Sequence, residues 1–403
     1  MVTTAGDAGL PQVVRPESLR EARDALAEAA AADASVELRG AGASTPWVTP
    51  DPRAAVVLDT TGLVEPFEHR PGDMTVLVGA GTRLDAIEAE LSARGQFIPV
   101  VPPSARDGAT LGGALSAGDV GPFRHAYGGW RDAVIGMTVV LADATVARSG
   151  GRVIKNVAGY DLAKLFCGAE GTLGLVASVA LRVHPRPEAV RTLRAEASVA
   201  RAGKAVARLA TSPLLPVALE LAEGALHVSF AGTEVGVRDQ LRRAASLCRE
   251  EGLEAEELAD EEAAAVARRV ARATCGVMSP GAETTVVRAV TLPDRLVAAG
   301  EAATRLAGEE GLEASFASHA GIGVHTVRVE GQPITAHAGF VTAFRAAVEG
   351  LGGRVSVRQH PPGLADAELR AGPPPPAAAI MRRVKDALDP RHRLAPGRFA
   401  PWW

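Results

Sequence analysis

Residues Val153–Pro187 read VIKNVAGYDLAKLFCGAEGTLGLVASVALRVHPRP, and the second half of that stretch decides the fold. Gly171 and Gly174 flank a turn that feeds Leu173–Val183, a run of apolar, small and β-branched residues. Such a run reads as a buried strand. A glycine-punctuated turn ahead of it can lay its backbone against a flat heterocycle, offering N–H and C=O edges without side-chain bulk. Pro185-Arg186-Pro187 then interrupts helix and strand alike, which places a domain boundary there.

Working outward to the N-terminal side, Ser18–Ala32 has the spacing of an amphipathic helix, with Leu19, Ala22, Leu26 and Ala29 on one face. Strands are expected at Ser35–Leu38, Ala55–Leu58, Thr75–Val78 and Val134–Leu141, and a helix opening at Thr82 with Asp85 in the capping-box position and Gly95 as its stop. On the C-terminal side, strands are expected at Val217–Leu221, Leu226–Phe230 and Thr284–Val290. Helices are expected at Arg201–Thr211, Glu234–Glu251, Asp294–Glu310 and Thr335–Leu351. That order suits helices on one face of an antiparallel sheet. Glu250–Ala273 reads as an exposed helical insertion. Pro373–Pro376 reads as a stiff spacer before a last helix, Ala377–Leu388.

Two further glycine-rich segments precede the deciding stretch. Arg39-Gly40-Ala41-Gly42-Ala43-Ser44-Thr45 follows a strand, and its close glycines let amides converge on a phosphate. Thr45 occupies the third glycine position of a Rossmann fingerprint, Leu84 does the same after Gly79-Ala80-Gly81, and no P-loop pattern occurs. Taken alone, this segment reads first as a plain tight turn. In Pro102–Gly129, Thr110 is placed to cap a short helix from Leu111, with Gly112-Gly113 permitting close backbone approach. Bare amides at that helix start would favour an anion such as a pyrophosphate. A loop packed on itself is the structural alternative.

Three glycine-rich loops in this order resemble the FAD-binding domain of the vanillyl-alcohol oxidase and p-cresol methylhydroxylase superfamily. Val153–Pro187 resembles, more specifically, the FAD-binding E subunits of bacterial glycolate oxidases. The tail from Leu388-Asp389-Pro390 to Pro396-Gly397-Arg398-Phe399 is similar to their closing DP…NPGR motif. The resemblance implies an α+β, two-domain PCMH-type FAD-binding fold with an α+β cap domain. Residues 1–186 would form the FAD domain and 187–372 the cap on the substrate side, with 373–403 returning to the FAD domain. It implies that Gly40, Ala41, Gly42, Ala43 and Ser44 cradle the FAD pyrophosphate. Pro103, Ala109, Thr110, Gly112, Gly113, Ser116 and Gly118 would form a second wall. Glu170, Gly171, Gly174 and Val176 would meet the adenine side or the flavin. Lys155, Asn156 and Tyr160 belong to the signature without an assigned role. Relatives with histidine-linked flavin place that histidine where this chain has Ala43, so noncovalent FAD is expected. Ala395 replaces the usual asparagine of the tail.

Composition narrows the function. The 403 residues carry 43 Lys plus Arg against 47 Asp plus Glu, a net charge of −4, which argues against a dedicated nucleic-acid binder. Aromatics make up only 4%, so the cores are built from Ala, Val and Leu. Cys167, Cys248 and Cys275 lack CxxC spacing, which disfavours a disulfide framework or a cysteine metal site. No apolar run approaches the roughly 20 residues of a membrane helix, and no signal peptide is read at the N-terminus. A cytoplasmic location is expected, peripheral to the membrane at most through partner subunits.

No catalytic residue is assigned. His319-Ala320-Gly321-Ile322-Gly323-Val324-His325 is a degenerate relative of the HxGDGNxH motif of catalytic D subunits, with Ile322 and Val324 in place of its Asp and Asn. No metal site is expected, and both histidines read as flanking a β-turn beside the sheet. Arg288 on a strand is a carboxylate-binding candidate, as are Arg124, His125, Tyr127 and Arg131 in the second loop. Trp402-Trp403 would meet a partner or pack back. The resemblance implies an FAD-binding oxidoreductase subunit acting on glycolate or a related short 2-hydroxy acid. Its partners would be a second flavin subunit and an iron–sulfur subunit. The alternatives are a stand-alone FAD oxidase or dehydrogenase of another alcohol or hydroxy acid, and a non-catalytic scaffold.

Overall fold

The computed structural model describes residues 11–43, 54–153, 159–276, 283–361, 364, 369 and 371–402. Ser44, Thr45, Lys155, Asn156 and Trp403 lie outside the described residues. The chain divides into two compact units. One comprises Met1–Val120, Gly128–Arg186 and Pro374–Trp403, the other Gly121–Tyr127 and Pro187–Pro373.

In the first unit, a small parallel sheet runs in the order β1 (Gln12–Val14), β3 (Val56–Asp59), β2 (Val36–Arg39). Helix α1 (Leu19–Ala31) covers it. Ser18 Oγ accepts the Glu21 N–H at the start of α1, while Glu21 reaches back to the Glu17 N–H, so the entry is satisfied from both sides. Ala22, Leu26 and Ala29 meet Val36, Val56 and Leu58 in a shared core. A second, antiparallel sheet has the order β4 (Phe67–Arg70), β5 (Thr75–Gly79), β9 (Leu175–Arg182), β7 (Val134–Val140), β8 (Val146–Gly150), and β6 (Gln96–Phe97) pairs antiparallel with β10 (His184–Pro185). The run read as a buried strand is β9, enclosed between two neighbours, with seven of its eight residues buried. Both faces being covered explains why its buried residues are apolar or small. Helix α2 (Leu84–Ser92) packs Leu84, Ile87 and Leu91 into the same core. It starts after Arg83 and not at Thr82. The Thr82 hydroxyl is turned toward the Val64 carbonyl, to which it donates at 3.2 Å, and Asp85 is held by the Arg83 guanidinium at 3.0 Å; no side chain caps the helix start.

In the second unit, β11 (Ala189–Glu196), β12 (Ala218–Ala222), β13 (Ala225–Gly232), β14 (Ala255–Glu257), β15 (Thr284–Val290), β16 (Glu313–His319), β17 (Val324–Glu330) and β18 (Arg354–Gln359) form one sheet. Its order is 14-11-13-12-16-17-15-18 and every pairing is antiparallel. Leu219 and Leu221 of β12 point into a core with Ala202, Val206 and Leu209 of the helix Val199–Thr211 and Leu241 of the helix Glu234–Glu250. Ala222, on the alternate face, meets Val266 and Val270 of the helix Asp260–Cys275. Helices therefore lie on both faces, not one. The expected exposed insertion is in fact a covering helix. Glu261, Glu262, Arg268 and Arg269 are exposed, and the valines and Ala271 at helical spacing are buried.

Candidate functional site

Three chain segments far apart in sequence wall one open cleft in the first unit.

The first wall leaves the carboxyl end of β2, the place where parallel strands present ligands. Thr60 Oγ1 donates to the Arg39 carbonyl at 3.1 Å, and the Arg39 guanidinium lies 3.2 Å from the buried Glu37 carboxylate, which fixes the strand end. Gly40, Ala41, Gly42 and Ala43 line the cleft from there. Gly42 has φ +80°, a left-handed conformation that favours glycine. Gly40 packs on the hydroxyl of Thr110, and a Cβ there would overlap it.

The second wall is helix Leu111–Ala117, capped by Thr110 Oγ1 accepting the Gly113 N–H at 3.2 Å. Ala109, Thr110, Gly112, Gly113 and Ser116 line the cleft. Gly112 presses on Ala80, with a hypothetical Cβ 2.9 Å from that of Ala80. The expectation of bare amides here fails. The Leu111 N–H donates to the Thr82 carbonyl at 2.9 Å, and that of Gly112 to the Ala80 carbonyl at 2.8 Å. The helix start is thus sewn to the segment after β5, and its first three amides serve the fold.

The third wall is the turn Gly168–Gly174. The Gly168 and Glu170 N–H groups donate to the carbonyls of Leu115 and Ser116, so this turn hangs from the end of the second wall. Glu170 and Gly171 are both left-handed, with φ +51° and +77°, and Gly171 lies against Leu38 of the first wall. Glu170, Gly171, Gly174 and Val176 line the cleft.

Pro103 and Gly118 do not line it. Pro103 opens a one-turn segment whose Ser104 hydroxyl is bonded to Asp119, and Gly118 is the left-handed stop of the second-wall helix, packed on Gly168. Sequence reasoning missed Glu37, Arg39, Thr60 and Arg398 as lining residues. Arg398 sits in the tail motif already singled out, whereas Thr60 carried no signal.

The tail also belongs to this unit. Arg393–Ala395 runs alongside β2, with the Val36 N–H donating to the Arg393 carbonyl and the Ala395 N–H to that of Val36, both at 2.8 Å. Trp402 packs back, stacked on Phe399 at 6.0 Å. Walls of main chain and small side chains, closely fitted to one another, suit an extended dinucleotide.

In the second unit, His319 ends β16 and His325 is the second residue of β17, on either side of a short turn. His325 pairs in register with Ser318, so His319 and His325 point to opposite faces and cannot share a ligand. His319 Nδ1 is 2.9 Å from Glu220 Oε1, both buried. His325 is bonded to Ser318 Oγ at 2.8 Å and Thr291 Oγ1 at 2.9 Å, and burial pulls its pKa down to about 4. Burial also lowers the pKa of His125, whose ring rests against Gly321, with Glu220 opposing the shift. Arg288 is on an interior strand and buried, not at a sheet edge. Among the described residues, no group of three or more His, Cys, Asp or Glu is arranged to hold a metal ion, and no helix is long and apolar enough to cross a membrane.

Comparison with known proteins identifies the family. Residues 177–399 match the C-terminal domain of FAD linked oxidases, and residues 11–150 match the FAD binding domain. The chain is 37% identical over 170 residues to glycolate oxidase subunit GlcE of Escherichia coli (strain K12), covering 42% of this chain and 49% of that subunit. The match therefore spans about half the length of that relative. It is 28% identical over 378 residues to glycolate oxidase subunit GlcD of Bacillus subtilis (strain 168), covering 84% of this chain and 79% of that one. A D-lactate dehydrogenase of Archaeoglobus fulgidus is 29% identical over 52% of this chain and 47% of its own length. A solved alkyldihydroxyacetonephosphate synthase superposes with a TM-score of 0.70 at 15% identity, over 95% of this chain and 75% of that one, which shows the shared fold. The chain belongs to the FAD-linked oxidase family, and it is an FAD-dependent oxidoreductase.

Proposed function

We propose that this chain is the FAD-holding subunit of a glycolate oxidase-like assembly, oxidising glycolate or a related short 2-hydroxy acid. The observation that carries the reading is the meeting of three sequence-distant glycine turns in one cleft, together with the likeness to two glycolate oxidase subunits. FAD, when bound, supplies a two-electron acceptor. The turn Gly40–Ala43 would take the diphosphate, since the amides at the start of the second-wall helix are already engaged. Thr110, Gly112 and Gly113 would let the cofactor approach the main chain, and Glu170–Val176 would flank its rings through backbone. Ala43 offers no side-chain attachment, so the cofactor is held noncovalently.

With His319 as the first histidine of the HxGDGNxH pattern, the second falls seven residues on, where this chain has Thr326, and His325 sits one residue early on the opposite face. The missing histidine supports the E-type over the D-type reading. This chain's three cysteines are one short of the four thiolates of an iron–sulfur cluster, which supports delivery of electrons to partner subunits. The test is anaerobic addition of glycolate or D-lactate to the flavin-loaded chain, alone and with its partners. Bleaching of the oxidised-flavin bands only in the assembly supports a subunit. Bleaching by the isolated chain makes it a stand-alone dehydrogenase. No bleaching in either form contradicts oxidation of these acids.

A further inference from the structure

The C-terminal helix Ala378–Leu388 buries a lysine. Lys385 is 2% exposed and Asp389, one turn on, is fully buried. The ammonium donates to Asp389 Oδ2 at 2.6 Å, to the Thr172 carbonyl at 2.8 Å and to the Leu394 carbonyl at 3.1 Å, so each of its three donors has an acceptor. Asp389 also accepts the N–H groups of Arg393 and Leu394, at 3.1 and 2.8 Å. Burial depresses the lysine pKa, and the Asp389 carboxylate pushes it back up.

A buried ion pair is weak support for stability, because apolar residues of similar volume often do as well. Apolar residues cannot hold two distant carbonyls at fixed separation. Thr172 lies in the third wall, two residues beyond Glu170. Leu394 bridges in parallel to Val36 of β2, whose far end is the Gly40 turn. The same tail carries Arg398 to the cleft lining.

We infer that Lys385 is a positioning residue for the cofactor cleft, its ammonium locking the third glycine turn and the tail strand to one another and so to the first turn. The inference rests on the reading of the cleft as the FAD site. Neither the glycine motifs nor the tail motif assigns this residue a part.

Lys385→Met alone would strand a buried carboxylate, so the variant to make combines Lys385→Met with Asp389→Asn. Asparagine keeps an acceptor for the Leu394 N–H and leaves no unpaired charge. The expected result is a folded apoprotein whose FAD Kd rises roughly tenfold or more, with an altered visible circular dichroism of the bound flavin. An unchanged Kd and unchanged flavin dichroism would show a purely structural pair and overturn the inference. A second measurement uses the unaltered chain. FAD binding should slow hydrogen exchange at Leu394 and Ala395 as well as in Gly168–Gly174, and tail amides indifferent to FAD would overturn it too. If the unaltered chain takes no saturable FAD, the reading of the cleft falls first and this inference with it.

Discussion

Gly40 rests on the hydroxyl of Thr110, and that same hydroxyl caps the helix of the second wall through the Gly113 N–H at 3.2 Å. One oxygen thus sets the spacing of two walls. A methyl group at position 40 would displace it. Gly40→Ala is expected to cost about 1 kcal/mol of stability, the usual value of an N-cap, and to weaken FAD binding by roughly tenfold or more. Thr110→Val should show the same loss of stability, and Thr110→Ser little of it. Thermal unfolding of the apoproteins and FAD titration check both.

Gly112 meets Ala80 from the other side of the same helix. A Cβ at residue 112 would lie 2.9 Å from that of Ala80 and 3.1 Å from its carbonyl oxygen, in a fully buried region. Gly112→Ala is expected to destabilise by about 1–3 kcal/mol through overpacking. Ala80→Gly in the same chain should return part of that loss, and a double-mutant cycle by urea unfolding measures how much.

His325 gives the second unit an acid sensitivity. Its pKa is about 4 in the fold, against an ordinary 6.5, because burial disfavours the charged ring. Between those values the unfolded chain binds a proton that the folded one does not. The stabilising contribution is therefore complete above pH 6.5 and is lost as pH falls toward 4, by roughly 3 kcal/mol in all. His325→Gln retains hydrogen-bonding groups for Ser318 and Thr291 without titrating. Its unfolding free energy should fall by about 2 kcal/mol less than that of the native sequence between pH 7 and pH 5.

Cys167 should be inert. Burial pushes its thiol up to about 12, so at pH 8 only about one molecule in ten thousand carries the thiolate. Native protein at pH 8 is expected to leave Cys167 unalkylated by iodoacetamide, and denatured protein to label it fully. Mass spectrometry of the two samples decides it.

Much of this was legible in the residues. The Thr110 cap, the β9 run and the glycine turns are local signals, and each stands where its chemistry places it. The sixteen residues Asp260–Cys275 show what local reading lacks. Their surface charge dominates the text, while the valines that bury against Ala222 and Ala317 mean nothing until the sheet supplies a second face. The amides of Leu111 and Gly112 look bare in the sequence for a similar reason, since their acceptors lie on the segment from Ala80 to Thr82. Lys385 was invisible as a buried group because a lysine on a helix ordinarily faces water. The acceptors that let it go inside come from residues 172, 389 and 394.

The most direct test of the cleft as the cofactor site is titration of the apo chain with FAD, followed by quenching of flavin fluorescence, for the native sequence and for Gly40→Ala. A single saturating site in the native chain, weakened in the variant while the apoprotein stays folded, is the predicted result. FAD binding that does not saturate, or that is the same in both chains, would contradict it.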